Sequence, residues 1–254
     1  MWFWASTSPW NESTEMKYLF KILRYDPKYD DDFHFQEYTY EPDMSKTVLE
    51  ALLDIRDQQD PTLSFRYSCG EAICGSCGMV VNGGITLVCR TPLDSIKSDT
   101  VVVEPLPNLE VLKDLVVDMA PFWEAYREIE PFMHTEGEVP EEGHRITERE
   151  MEEIYQFINC ILCGCCFSAC PVASRDGAYK GPAALAKLCR FVDDPRDRRP
   201  FENWSRVNAS DGVWGCDTVF RCNDVCPKNV RPADGIESLR RKLVVGKIKR
   251  LLKK

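Results

Sequence analysis

A chain of 254 residues, 44% hydrophobic and 29% charged, has an ordinary globular composition and enough length for one large core or two small ones. Its net charge of −9 comprises +8 from residues 239–254, "LRRKLVVGKIKRLLKK", and −17 from the rest, and so acidic a body excludes nucleic acid as the main partner. Thirteen cysteines, with no basic n-region or full apolar core in the opening "MWFWASTSPW", argue against an exported disulfide protein and for bound metal.

Residues 1–16 read as an extension. Beyond them, "KYLFKILR" (Lys17 to Arg24) alternates and reads as a strand, "DPKYDDD" as a polar turn, and "FHFQEYTYE" as the second strand of a hairpin. "MSKTVLEALLDIRDQQD" carries a helical stripe of Val48, Leu49, Leu52, Leu53 and Ile55, with Ser45 as the expected N-cap and Asp60-Pro61 as its stop. "GMVVNGGITLVC" reads as two short strands about the Asn82-Gly83 turn, and "TVVVEPLP" as another strand closed by prolines. This part is a small sheet packed on one helix.

The pattern changes near residue 115. "PFWEAYREIEPFM", "ITEREMEEIYQFINCILC", "GPAALAKLCRFV" and "RPADGIESLRRKLVV" have helical spacing, with Pro182 and Pro232 near helix starts. "HTEGEVPEEGH" reads as a mobile acidic linker. The expected organisation is α+β: residues 17–115 as a sheet-and-helix domain, 116–245 as a helical domain, and 246–254 as a basic tail. The stretch from Ile154 to Ser174 holds 21 residues without a charge, long enough to cross a bilayer. Its five cysteines and its Gly, Pro, Asn and Gln argue against a span.

Cys69, Cys74, Cys77 and Cys89 stand as C-x4-C-x2-C-x11-C, the plant-type [2Fe–2S] spacing. Three thiolates on one tight loop can wrap a small cluster, and the fourth arrives from the end of a hairpin strand. Gly70, Gly75 and Gly78 let the backbone bend and bring N–H groups to the sulfurs. A structural zinc is the alternative, but zinc favours two separated knuckles; a Rieske centre needs two histidines, and this loop has none.

Cys160, Cys163, Cys166 and Cys170-Pro171 form C-x2-C-x2-C-x3-C-P, the bacterial ferredoxin run, whose fourth cysteine serves the other cluster of a pair. A reciprocal run follows in Cys216, Cys222 and Cys226-Pro227. Its second cysteine falls at 219, where Val219 stands. One cluster is then held by Cys160, Cys163, Cys166 and the crossing Cys226. The other has only Cys170, Cys216 and Cys222, which points to [4Fe–4S] and [3Fe–4S] respectively, with Val219 keeping the three-iron site dry. Cys165 and Cys189 read as buried thiols, and His34, His134 and His144 as surface residues.

"YSCGEAICGSCGMVVNG", "CILCGCCFSACP", "GPAAL" and "CDTVFRCNDVCPKNV" together resemble the iron–sulfur subunits of succinate dehydrogenase and quinol:fumarate reductase, over residues 17–245. The resemblance implies an N-terminal β-grasp, plant-type ferredoxin domain followed by an α-helical, bacterial-ferredoxin-type domain. It implies a flavoprotein partner carrying FAD, a membrane anchor cytochrome b subunit with quinone and haem b, and a peripheral position on the cytoplasmic face of the cell membrane. The chain would pass electrons and hold no substrate, in keeping with the lack of a G-x-G-x-x-G fingerprint or a P-loop. No tryptophan pair follows Cys170-Pro171 and Asp217, not histidine, follows Cys216, so the resemblance leans toward menaquinone-linked fumarate reductases with a dihaem anchor. The alternatives are the cluster subunit of another flavin-linked dehydrogenase, which the missing cysteine at 219 counts against, and a zinc-holding interaction module.

Overall fold

The computed structural model describes residues 17–42, 44–135, 137, 138 and 140–252; the expected extension at 1–16 lies outside them. The first half is built on strands β1 (Tyr18–Arg24), β2 (His34–Tyr40), β3 (Gly78–Val81), β4 (Gly84–Leu87) and β5 (Thr100–Glu104), with helix α1 (Val48–Gln58) between the second and third. The sheet order is β2-β1-β5-β3-β4. β1 pairs antiparallel with β2, from Tyr18↔Tyr40 to Arg24↔His34, and parallel with β5. This is the expected β-grasp arrangement. Its core is fully buried Phe20, Ile22, Val101 and Val103 from the sheet against Val48, Ala51, Leu52 and Ile55 from α1. The Asn82-Gly83 turn has φ of +47° and +78°, the left-handed pair that a two-residue hairpin requires.

α1 starts two residues later than the expected Ser45 cap. The Thr47 hydroxyl accepts from the Glu50 N–H while the Glu50 carboxylate accepts from the Thr47 N–H, a reciprocal capping box; Ser45 donates to Asp94 instead. A second hairpin, β6 (Val111–Lys113) and β7 (Val116–Val117), follows the sheet, and the expected junction at 115 falls inside it. Asp114, 1% exposed, accepts from Arg24 Nε at 2.9 Å and from the Tyr25 and Ser64 N–H groups. Arg24 also reaches Asp60, Tyr38, Gln36 and Thr62. A buried charge is tolerated only when so fully paired, and this network clamps the hairpin to the sheet.

The second half is helical: α2 (Ala120–Glu128), α3 (Glu148–Ile158), α4 (Cys165–Ser168), α5 (Pro171–Arg175), α6 (Gly181–Asp193), α7 (Phe201–Trp204), α8 (Arg221–Asp224) and α9 (Pro232–Leu251). α6 is buried almost all round and packs on α3 and α9, with Leu185, Leu188, Cys189, Ile236, Leu239 and Leu243 at the centre. The helical spacing read through Cys163 stops at Ile158, because the cysteine run needs left-handed backbone at Leu162 and Gly164. His34 and His144 are exposed as expected. His134 is half-buried: its ring stacks on Phe132 at 4.8 Å, its Nε2 lies 3.2 Å from Glu130, and its carbonyl accepts from the Arg198 N–H. Among the described residues no helix is long and apolar enough to cross a membrane.

Candidate iron–sulfur sites

The loop from Cys69 to Cys77 turns its amides onto its sulfurs. Cys69 Sγ accepts from the N–H groups of Glu71, Ile73 and Cys74, each at 3.3 Å, and Cys89 Sγ accepts from Ala72 at the same distance. Cys74 Sγ accepts from Cys69 and Ser76 at 3.5 Å. Positive φ at Gly70, Ala72 and Gly75 makes this inward turn. Burial opposes ionisation of Cys74, but those donors outweigh it and hold its thiol down at about 6. Cys77, buried beside Cys89 and Cys74, is pushed up to about 12. A loop that donates to several sulfurs at once fits an anionic [2Fe–2S] group.

Gly75 has a further role that the sequence does not declare. A Cβ there would lie 2.7 Å from the Ile161 carbonyl oxygen and 3.0 Å from Cys163 Cα and Cβ. The first cysteine loop therefore rests directly on the second. Asn108 fastens the same junction by donating to the Ser168 and Cys170 carbonyls, and Arg90 donates to the Pro227 carbonyl. Cys165, read as a buried thiol, is fully buried at this seam and hydrogen-bonds Cys163, whose own thiol is thereby held down at about 7.

Two separate cavities lie in the helical half. One is lined by Cys160, Cys163, Cys166 and Cys226, with an otherwise apolar wall that includes Leu162, Ala183 and Val230. Burial pushes the Cys160, Cys166 and Cys226 thiols up. Lys187 from α6 donates to the Phe157 and Cys160 carbonyls and pins the start of the run. The other cavity is lined by Cys170, Cys216 and Cys222 together with Tyr179, Thr218, Val219 and Phe220. Burial, then the neighbouring Cys216 and Cys170, pushes Cys222 up to about 12. The buried Tyr179 hydroxyl faces Cys216, with Cys170 and Cys222 nearby, and a donor turned onto thiols rather than onto an oxygen acceptor fits a group bearing inorganic sulfur. Among the described residues no three Cys, His, Asp or Glu side chains converge on a single-ion position; the thiols surround spaces instead.

The two cysteine runs share one backbone. Leu162 and Thr218 have φ of +55° and +56°, and Gly164 and Phe220 have +80° and +61°. Short helices α4 and α8 follow at matching places, and each run closes in Cys-Pro. Val219 thus occupies the place that Cys163 holds in the first run. Its side chain is 49% exposed, so it does not keep the third cavity dry by itself, as its apolarity had suggested. Arg240 of α9 supports this run: it donates to the Cys216 and Val213 carbonyls at 2.6 and 2.9 Å and to the Thr218 hydroxyl at 3.1 Å. Neither Arg240 nor Tyr179 carries a signal in the sequence, since both reach the site from other segments.

A family described as a 2Fe-2S iron-sulfur cluster binding domain matches residues 19–124, and one described as a 4Fe-4S dicluster domain matches residues 156–230. The fumarate reductase iron-sulfur subunit of Escherichia coli O6:H1 is 40% identical over 88% of this chain and 92% of its own length. This chain belongs to the iron–sulfur subunits of the succinate dehydrogenase and fumarate reductase family. The Wolinella succinogenes fumarate reductase subunit, at 36% identity over 88% of this chain and 96% of its own, and the mitochondrial succinate dehydrogenase [ubiquinone] iron-sulfur subunit 1 of Oryza sativa, at 36% over 87% and 80%, agree. A chain of the Mycobacterium smegmatis Sdh1 complex in the apo form shares the fold, with a TM-score of 0.83 at 23% identity over 92% of this chain and 98% of that one. As a member of the family, the chain is a subunit of a succinate dehydrogenase/fumarate reductase complex and carries [2Fe–2S], [4Fe–4S] and [3Fe–4S] clusters.

Proposed function

We propose that this subunit relays electrons between the FAD of a flavoprotein partner and the quinone or haem b of a membrane anchor cytochrome b, on the cytoplasmic face of the cell membrane. Cys69, Cys74, Cys77 and Cys89 hold the [2Fe–2S] cluster; Cys160, Cys163, Cys166 and Cys226 hold the [4Fe–4S]; Cys170, Cys216 and Cys222 hold the [3Fe–4S]. When bound, these groups supply one-electron redox chemistry. The chain's own residues set their places. The Cys69 and Cys74 loop is open to its surroundings, with Ile73 63% exposed, and meets the flavoprotein. The middle set is closed in, and Gly75 brings its loop against the first. Around the third set Trp214, Val219 and Phe220 are 45–49% exposed and meet the anchor. Beside Cys216 stands Asp217, paired with Arg175 at 2.8 Å, and not a histidine, and with the likeness to fumarate reductase subunits this leans the reading toward a menaquinone-type partner.

The carrying observation is the repeated backbone of the two runs, with Val219 in the place of Cys163. Val219→Cys supplies the missing thiolate at small cost in volume. In the purified complex the variant gains a fourth iron, loses the EPR signal of the oxidised three-iron centre and acquires a lower potential at that site. Electron flow to quinone slows, while succinate oxidation with an artificial acceptor at the flavin persists. Two four-iron clusters in the unmodified protein, or an unchanged oxidised EPR spectrum in the variant, would sink the assignment.

A further inference from the structure

We infer that the C-terminal half of α9 is a membrane-surface element that lays an apolar strip, rimmed by cations, onto anionic lipid headgroups. This rests on the membrane-complex reading above and adds to it a lipid contact made by this chain itself. α9 runs for 20 residues. At about 100° per residue, its buried Ile236, Leu239 and Leu243 mark one face. Val244, Val245, Ile248 and Leu252, exposed by 46, 48, 51 and 81%, fall within about 100° of arc on the opposite face. Lys247 lies beyond one edge of that arc and Lys249 beyond the other, and both are exposed without an ion pair among the described residues. An apolar strip with lysine rims is how a helix lies in a lipid interface.

Three further observations choose lipid over plain solvent. Residues 239–254 hold eight Lys/Arg and no acid, in a chain whose remainder is strongly acidic. Such a charge asymmetry orients the molecule tail-first toward an anionic surface and turns the acidic body away. Trp204 lines a groove with Val245, Arg241 and Lys249, which places an indole where interfacial tryptophans sit. The strip also continues the exposed surface at the third cysteine set, because Arg240, one turn before Val244, sits 5.5 Å from the Trp214 ring and holds the Cys216 carbonyl. Seating α9 on the headgroups therefore turns the mouth of the third site toward the membrane.

The test is co-sedimentation of the full, cluster-loaded chain with vesicles of phosphatidylcholine containing one part in four phosphatidylglycerol, and with phosphatidylcholine alone. Binding is expected to the first and not the second, and to fall away as salt rises from about 0.05 to 0.5 M. Lys247→Gln with Lys249→Gln should weaken binding about 25-fold, near fivefold per charge. Val244→Ser with Ile248→Ser should weaken it while leaving the salt dependence in place. Unchanged visible absorption of the clusters shows that each variant is folded. Equal binding to both vesicle types, no binding to either, or a lysine variant as tight as the parent overturns the inference. So does a lysine variant impaired only toward the detergent-solubilised anchor subunit, since the rim then serves a protein surface. Failure here leaves the Val219→Cys EPR outcome as it stands, whereas two four-iron clusters in the unmodified protein, or an unchanged oxidised spectrum in that variant, overturn the earlier reading without touching vesicle binding.

Discussion

Gly75→Ala tests the contact on which the proposed relay depends. Two costs add at this position. The φ of +73° puts any L side chain in the left-handed region, at roughly 1–2 kcal/mol. The new Cβ then meets the Ile161 carbonyl oxygen at 2.7 Å, where ordinary contact begins near 3.4 Å. Neither neighbour is a flexible tip: one is backbone and the other is the Cα and Cβ of Cys163. Relief requires the two cysteine loops to move apart by some tenths of an ångström, an overpacking cost of about 1–3 kcal/mol. The sum, about 2–5 kcal/mol, is a large share of the ~5–15 kcal/mol that holds a domain together. Gly70→Ala is the internal control, because its φ is +71° but nothing lies within 4 Å of its Cβ, so it carries only the backbone cost. Denaturant unfolding of both variants should show Gly75→Ala less stable by about 1–3 kcal/mol, the steric share alone. In rapid-mixing EPR, reduction of the second site through the first should slow in Gly75→Ala and not in Gly70→Ala. Equal destabilisation and equal kinetics would refute the direct loop-on-loop contact.

Arg240→Met removes charged hydrogen bonds to the Cys216 and Val213 carbonyls, each worth about 1.5–3 kcal/mol; iron analysis and EPR should show selective loss at the third site, and an intact signal there denies Arg240 its positioning role. Burial would raise the Asp60 carboxyl, but bonds from Thr62, Tyr38 and Arg24 win and hold it well below the usual carboxylate range. Its contribution is therefore complete above the unfolded value near 4 and is lost as pH falls through the lower folded value. Melting temperature should drop steeply below about pH 4, and Asp60→Asn should start lower and flatten that limb; parallel curves would exclude the residue. Cys77→Ser should alter the [2Fe–2S] signal alone, and simultaneous loss of all three signals would contradict independent sites.

The elements that were legible in the sequence are those fixed by local periodicity. Alternation gave β1 and β2, Asn82-Gly83 gave the β3–β4 turn, and the stripe from Val48 to Ile55 gave α1. The cysteines of the helical half gather around two cavities along the lines of their spacing, because thiol spacing on a tight loop is itself a geometric statement. The misreadings have physical causes. Ser45 and Thr47 are both competent caps, and Glu50 decides for Thr47 because only that pairing closes the reciprocal box. α3 ends before the cysteines because helical spacing in apolar residues does not report the left-handed backbone at Leu162. His134 looks polar by its neighbours, but Phe132 folds against it. The contacts of Gly75, Tyr179 and Arg240 were not legible, since each is made with a segment distant in the chain.

The paired runs show how one domain makes two unlike sites from one backbone. Where the first run has Cys163-Gly164, the second has Val219-Phe220, with the same left-handed turn at the second residue. Glycine adopts that turn freely, whereas phenylalanine does so at roughly 1–2 kcal/mol. Phe220 gains little from its own fold in return, since it is 45% exposed, beside Val219 at 49% and Trp214 at 48%. Strain together with unburied apolar surface is retained where another surface completes the packing. The first run is already completed within the chain, by the loop of Gly75 and by buried Cys165. The second run is left open on the side from which the strip of α9 continues. On the proposed assignment, the residue that withholds a thiolate and the one that leaves an apolar mouth are thus adjacent in one turn, Val219 and Phe220, and the third site is at once short of a ligand and turned outward.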